Sequence, residues 1–426
     1  MLTFVESLNV LIAIVLTVAY SYQVFYAFYG FVRKGRPLSP DTGRYHRYAV
    51  VIAARNEEQV IGQLLRSLKA QDYPPELLDL YVIADNCTDR TAEAAAREGA
   101  VVYKRFNRRQ VGKGYAMDYF FRRLQAEGYG DAYAGYFVFD ADNLVDPAFV
   151  REMNKVFDTG NYQAITCYRN SKNFASNWIS AGYSLWFLRE ARFLNFPRML
   201  LGTSCAISGT GFLVSAQAIR ESGGWPYHLM TEDIQFSVHC AVEGWRIGYC
   251  DKAVIYDEQP TSFRQSWDQR MRWSKGFYQV DRDYGLALAK GCLTRRSGRF
   301  ACYDMLMTVA PGMLLTLILV LVNGGAAAAC LTQPPDVAAA VLEECLGFLG
   351  TVVVNFYLGL LLYGAATLVS EWDQIQAKST VKVLYLFTFP LFMFTYIPIS
   401  LAALVRRVEW KPIRHNAAGL EVNRSA

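Results

Sequence analysis

The hydrophobic pattern divides the chain into three zones. The first 31 residues are apolar apart from a single charge at Glu6, and the run from Val10 to Phe31 is long enough for one bilayer crossing at about 20 residues per span. It lacks the basic start and small-residue cleavage site of a signal peptide, so a retained anchor is expected. From residue 48 the pattern changes. Short apolar runs over Tyr48–Ala54, Leu78–Ala84, Ala100–Tyr103 and Tyr136–Phe139 predict strands, and helical periodicity lies between them, as in Val60, Ile61, Leu64, Leu65 and Leu68, stopping near Tyr73-Pro74-Pro75. Strands alternating with helices predict a Rossmann-like α/β domain with a mostly parallel sheet, whose ligands sit at the carboxyl ends of the strands. The third zone carries apolar segments at Met305–Val322, Leu346–Val369 and Val383–Val405. Pro390 and Pro398 interrupt the last one, so it reads as bent or re-entrant.

Charge refines this picture. Arg33, Lys34, Arg36, Arg44 and Arg47 follow the first apolar run, which by the positive-inside rule sets the middle zone in the cytoplasm. The link between the first two C-terminal segments carries Asp336, Glu343 and Glu344 and no Lys or Arg, so it is expected outside. Three full C-terminal crossings would then put Arg406, Arg407, Lys411 and Arg414 outside as well, against the same rule. Asn177–Leu200 mixes Trp178, Tyr183, Trp186, Phe187, Phe193 and Phe196 with Arg189, Arg192 and Arg198, and predicts an amphipathic helix on the lipid surface. The expected division is an N-terminal transmembrane helix (1–31), a cytosolic α/β domain (48–260, with 177–200 interfacial), an interfacial helical region (261–300), a membrane region (301–405) and a basic tail (406–426).

Composition agrees with partial residence in lipid: of 426 residues 53% are hydrophobic and only 19% charged, where soluble domains average near a quarter. The net charge of +5 is scattered rather than gathered into a stripe, which excludes nucleic acid as partner. Four separated histidines (His46, His228, His239, His415) and nine cysteines without a C-x-x-C pair exclude a zinc centre and imply reduced thiols.

The chemistry concentrates at strand ends. Asp140-Ala141-Asp142 closes the fourth strand and supplies two acids for a hard cation such as Mg2+ or Mn2+, which takes few protein carboxylates and neutralises a diphosphate leaving group. Asp85 ends the second strand and suits a ligand contact, whereas Asp89 reads as a helix cap. Gly112-Lys113-Gly114 precedes a helix and offers a backbone and a lysine to phosphate, though it is no P-loop. Thr231-Glu232-Asp233 opens another helix: Thr231 fits a cap, and one of the acids fits a general base for a hydroxyl. Gln269-Arg270-Met271-Arg272-Trp273 lies in a basic and aromatic helix, suited to a diphosphate, a sugar face and a membrane surface together.

In this order the motifs resemble those of the membrane-bound family 2 glycosyltransferases of GT-A fold, the group containing cellulose, chitin, hyaluronan and poly-N-acetylglucosamine synthases. The resemblance runs from about residue 48 to 280. It implies donor contacts from Arg55, Glu57, Asp85, Lys113, Asp140 and Arg272, and metal ligation by Asp142 with Asp140. It further implies an acceptor loop at Ser208, Gly209, Thr210 and Gly211, acceptor contacts from Gln269 and Trp273, and a catalytic pair with Asp233 as base beside Glu232. Where the family often has Asp-Asp-Gly-Ser, this chain has Ala84-Asp85-Asn86-Cys87. The reaction so implied is an inverting, metal-dependent transfer from a UDP-sugar to a growing saccharide, in the plasma membrane with the catalytic domain cytoplasmic. A single transfer to a membrane lipid is the alternative, because about four membrane segments are few for a polymer channel. A homo-oligomer is compatible with the sequence.

Overall fold

The computed structural model describes residues 2–33, 39–295, 298–309 and 311–408. Lys34, Arg36, Lys411 and Arg414, and most of the basic tail, lie outside the described residues. The chain opens with helix α1 (Leu2–Val32) and enters an α/β domain in the order β1 (Tyr48–Ala54), α2 (Ile61–Lys69), β2 (Leu78–Asp85), α3 (Thr91–Arg97), β3 (Val101–Arg105), α4 (Lys113–Ala126), β4 (Gly135–Asp140), β5 (Leu144–Val145), α5 (Phe149–Phe157) and β6 (Ala164–Ser171). Helix α6 (Trp178–Glu190), a π-helical turn (Ala191–Asn195) and α7 (Phe196–Leu200) follow, then β7 (Phe212–Ser215), α8 (Ala216–Glu221), α9 (Glu232–Glu243) and β8 (Ile247–Asp257). The C-terminal third is helical: α10 (Phe263–Thr294), α11 (Arg299–Val309), α12 (Pro311–Cys330), α13 (Pro335–Ser370), α14 (Ser379–Phe394) and α15 (Tyr396–Val405).

The eight strands form one sheet in the order β3-β2-β1-β4-β7-β6-β8-β5. Strands β1 to β4 pair in parallel, with Val50 opposite Leu80 and Phe137, as the alternating pattern predicts. The far half is mixed, because β7 runs antiparallel to both β4 and β6. Strand β1 reads YAVVIAA with almost every side chain buried, the mark of a strand covered on both faces. One cover is α2 and α5, whose buried residues alternate at helical spacing; the other is α4, α6 and α9.

Among the described residues three helices are long and apolar enough to cross a membrane: Thr3–Val32, Pro335–Ser370 and Ser379–Val405. Three expectations change here. The segment 177–200 is not two-faced: α6 buries Ile179 through Leu185 together with Phe187 and Leu188, because it is wedged between β6, α10, α13 and α14. Its aromatic residues fill a core rather than a lipid surface. The expected span Met305–Val322 is divided between α11 and α12. The expected acidic link is mostly helix, since α12 ends at Cys330 and α13 begins at Pro335, which puts Asp336, Glu343 and Glu344 on α13.

Contacts along their lengths tie the apolar helices together. At the end remote from the sheet, Val5 of α1 packs with Cys330, Val341 and Cys345. Midway, Asn9 and Asn323 exchange two amide hydrogen bonds of 3.0 and 2.8 Å, a polar clamp between α1 and α12. At the other end Glu371, just after α13, accepts from the Tyr168 hydroxyl of β6 at 2.6 Å. Arg198 of α7 and Asp304 of α11 form a fully buried bidentate pair at 2.8 and 2.6 Å, joined by the Tyr22 and Tyr26 hydroxyls of α1.

Candidate active site

The carboxyl ends of β1, β2, β4 and β8 open into a cavity of about 790 Å³. Two asparagines brace the strand-end loops next to it. Asn56 and Asn86 hold left-handed backbone (φ 59° and 52°), tolerated by asparagine, and their side chains tie neighbouring strand-end loops to Thr88 and Asn107. Asp89 accepts from the Thr91 amide at 3.0 Å, but it stands one residue before the expected place: Arg90 occupies the cap position of α3, without a side-chain cap bond.

Of the fifteen site residues read from the sequence, thirteen line this cavity: Arg55, Glu57, Asp85, Lys113, Asp140, Asp142, Ser208, Gly209, Glu232, Asp233, Gln269, Arg272 and Trp273. Thr210 and Gly211 do not; Thr210 is buried behind the wall and braces the acids instead, its hydroxyl accepting from the Asp140 amide at 2.8 Å and bonding Asn143. The loop around it turns through Gly209 and Gly211, both at positive φ; at Gly211 a Cβ would lie 2.5 Å from Cys167 Sγ, so nothing larger fits.

Lys113 donates to Asp140 at 2.5 Å and to the Gly209 carbonyl at 2.7 Å, which links the Asp-x-Asp turn to the 208–211 loop. Burial pulls the lysine pKa down, but Asp140, Glu232 and Asp233 together lift it above its ordinary value. Asp85 is paired with buried Arg105 at 2.5 Å; burial still pushes its carboxyl up. Arg105 closes β3 in register with Asp85, a placement that no local motif signals.

The acids Glu232 and Asp233 begin α9. Glu232 is pushed up to about 7, first by burial and then by the neighbouring Asp233 carboxylate. Burial also raises Asp233, against hydrogen bonds from the Ile234 and Gly209 amides and the charge of Lys113. Thr231 occupies the cap position, yet its hydroxyl caps nothing and is buried without a hydrogen-bond partner. Its role is contact: Gly276 of α10 lies so close that a Cβ there would meet Thr231 Oγ1 at 2.4 Å. This contact brings the Gln269–Trp273 stretch of α10 to the acids. Arg272 faces Glu232, Asp140 and Asp233, although burial lowers its pKa overall. Gln269 Oε1 is buried without a partner.

Asp257 at the end of β8 was not singled out in the sequence, although it obeys the strand-end rule that identified Asp85 and Asp140. It accepts from Arg169 Nε at 2.9 Å, from Asn143 at 3.2 Å and from Gln259 at 3.0 Å, and lies within hydrogen-bond reach of Asp142. Burial pushes its pKa up, but Arg169 holds it below the usual carboxylate range. A hydrogen bond between two carboxyl groups needs a shared proton, and a divalent cation can take that proton's place. Asp140 and Asp142, with Asp257 behind them, thus offer the oxygen donors that Mg2+ or Mn2+ takes. Among the described residues no group of three acids, histidines or cysteines is placed to hold a metal ion by itself.

The family described as Glycosyltransferase like family 2 matches residues 46–276. The chain belongs to that family. Among curated relatives, the beta-monoglucosyldiacylglycerol synthase of Synechocystis sp. is 28% identical over 242 residues, 56% of this chain and 50% of the relative. The poly-beta-1,6-N-acetyl-D-glucosamine synthase of Staphylococcus epidermidis is 24% identical over 234 residues, 54% of each. The chain thus matches about half the length of these relatives. Among solved structures, a mannosyltransferase of Pyrobaculum calidifontis in complex with GDP-Man and Mn2+ superposes with a TM-score of 0.57 at 17% identity, over 94% of this chain and 99% of that one. The architecture is therefore GT-A, and the protein is a family 2 glycosyltransferase.

Proposed function

We propose that this family 2 enzyme transfers a sugar, with inversion, from a UDP-sugar to a hydroxyl of an acceptor presented from the membrane side. The observation that carries this reading is the composition of the single cavity around Asp140 and Asp233. One end is lined by Arg55, Asp85, Lys113 and the strand-end acids, and the other by Trp186, Leu194, Phe277, Thr308 and Val408 from the membrane-proximal helices. The first end suits a nucleoside diphosphate; the second suits a lipid-linked acceptor. Transfer of a sugar to lipid is also what the name of the Synechocystis relative describes.

Asp140 and Asp142 would hold a divalent cation, which when bound neutralises charge on the diphosphate. Arg272, facing the same acids, meets charge developing on the departing UDP. Asp85 and Arg55 hold the nucleoside end. Asp233 takes the proton of the acceptor hydroxyl as its oxygen forms the new bond at the anomeric carbon and the bond to UDP breaks. One in-line displacement inverts that carbon. Gln269 and Trp273 flank the acceptor, where the orphan Gln269 oxygen accepts a hydroxyl.

A second reading, extension of a growing saccharide, is supported by the relation to the poly-N-acetylglucosamine synthase. One assay tests both: membranes are incubated with a panel of UDP-sugars, released UDP is measured, and product is extracted and sized. Release that stops with EDTA and returns with Mg2+ or Mn2+, giving an organic-phase product with one or a few added sugars, is expected. A long water-soluble ladder favours the second reading, and folded protein that releases no UDP from any donor overturns both.

A further inference from the structure

Glu190 is a half-buried carboxylate lining the active cavity that belongs to none of the acid motifs. It is the last residue of α6, and the helix changes to a π-helical turn immediately after it. Such turns widen a helix locally and are often found at functional sites. This one is held in place by Asn195, whose side chain donates to the Ala206 carbonyl at 3.2 Å and accepts from the Ala206 amide at 3.1 Å. Glu190 is thereby directed at the 208–211 loop, where it accepts one hydrogen bond, from Ser208 Oγ at 3.2 Å.

That single bond leaves most of its accepting capacity unused. A carboxylate has about four lone-pair sites, and those that open into a cavity are available to a ligand. Among the described residues Glu190 forms no ion pair, although three arginines lie near it, since each is engaged elsewhere. Arg169 is held by Asp257, Arg198 by Asp304, and Arg189 stacks on Trp186 at 4.7 Å while bonding Gln23. Burial raises the Glu190 pKa, with Arg198 and Arg169 opposing it. The oxygens left over face the cavity, beside Trp186 and Phe187. Consecutive residues of one loop hold the two acids: Ser208 donates to Glu190, and the Gly209 amide donates to Asp233.

We propose that Glu190 is an acceptor-binding residue that takes a hydrogen bond from a hydroxyl neighbouring the one activated by Asp233. The acceptor head then carries two adjacent hydroxyls, as a sugar or polyol does, whether linked to lipid or free. A diacylglycerol, with one hydroxyl flanked by ester oxygens, leaves Glu190 unmatched. This inference rests on the transfer reading above.

The test uses full-length enzyme in nanodiscs with three acceptors: dioleoylglycerol, glucosyl-dioleoylglycerol and a cello-oligosaccharide. Glu190→Gln is isosteric and still accepts the Ser208 hydroxyl. The wild type is expected to favour a sugar-bearing acceptor over dioleoylglycerol. In the variant the KM for that acceptor rises about 10-fold or more, the effect of losing a hydrogen bond to a charged group. The donor KM and the slow hydrolysis of donor by water stay within about two-fold, which reports an intact fold and donor half. Dioleoylglycerol as the best acceptor, an unchanged acceptor KM, or a parallel shift in donor KM overturns the assignment. A wild type that hydrolyses donor but transfers to none of the three removes the transfer reading itself, and this inference with it.

Discussion

Asp233 and Glu232 share a pocket that resists their ionisation, and the two acids answer differently to mutation. Asp233 accepts amide bonds from the 209 loop and its own helix start, the geometry of a positioned base. Asp233→Asn keeps that shape and removes the proposed base, so kcat is expected to fall by about 100-fold or more while donor binding persists; UDP release and donor titration separate the two effects. Glu232 reports through stability. Its folded pKa of about 7 lies above the roughly 4.3 of a free glutamate. The folded protein therefore binds the proton more tightly than the unfolded chain. That contribution is fully present below the unfolded pKa and is lost as pH rises through about 7. Glu232→Gln escapes the loss, so its melting temperature is expected to gain on wild type between pH 5 and pH 8. A gap that stays constant with pH would contradict the burial of this acid.

Between elements, the decisive contact is α9 against α10. Thr231 rests on Gly276, with no room for a methyl group. Gly276→Ala is expected to push the helices apart, cost about 1–3 kcal/mol of stability, and reduce transfer more than donor binding, because Gln269 and Trp273 move with α10. Thermal unfolding and separate donor and acceptor KM values check this. Helix α10 is anchored from behind by Arg270, which is wholly buried, donates to the Phe392 carbonyl at 3.1 Å and Thr395 Oγ1 at 2.6 Å, and packs over the Phe392 and Tyr396 rings. The break between α14 and α15 leaves that carbonyl available. The first arginine of the motif thus holds the helix, while Arg272, two residues on, faces the acids.

For the whole molecule, the last apolar segment matters most. Its start is tied to the catalytic side by Lys382, which donates to the Trp372 carbonyl at 2.6 Å. Its end returns to the same side: Lys275 of α10 donates to the Ala403 carbonyl at 3.0 Å, and Val408 lines the catalytic cavity. The segment is long enough to cross a membrane but both its ends meet the catalytic domain, which removes the conflict over Arg406 and Arg407. The turn between α12 and α13 lies at the opposite end, beside Val5. A Gln333→Cys variant made in a background without the native cysteines is expected to react with an impermeant thiol reagent added outside intact cells, whereas Thr42→Cys reacts only after lysis. The reverse pattern would invert the assigned orientation.

Local pattern alone determined the parallel half of the sheet, the positions of Asp85, Asp140 and Asp233 at element ends, and the anchor helix, because strand alternation, helix periodicity and the strand-end rule are carried by neighbouring residues. Tertiary structure decided the rest. Asp85 with Arg105, Asp142 with Asp257, Glu190 with Ser208 and Arg270 with Phe392 are pairs far apart in the chain, and which residue fills a partner's empty lone pairs depends on how elements pack. The same holds for α6: aromatic and basic residues read as a lipid-facing surface in one dimension, but with α10, α13, α14 and β6 around them they become core. An apolar stretch states only that it avoids water; whether it finds lipid or protein depends on what the remainder of the chain brings against it.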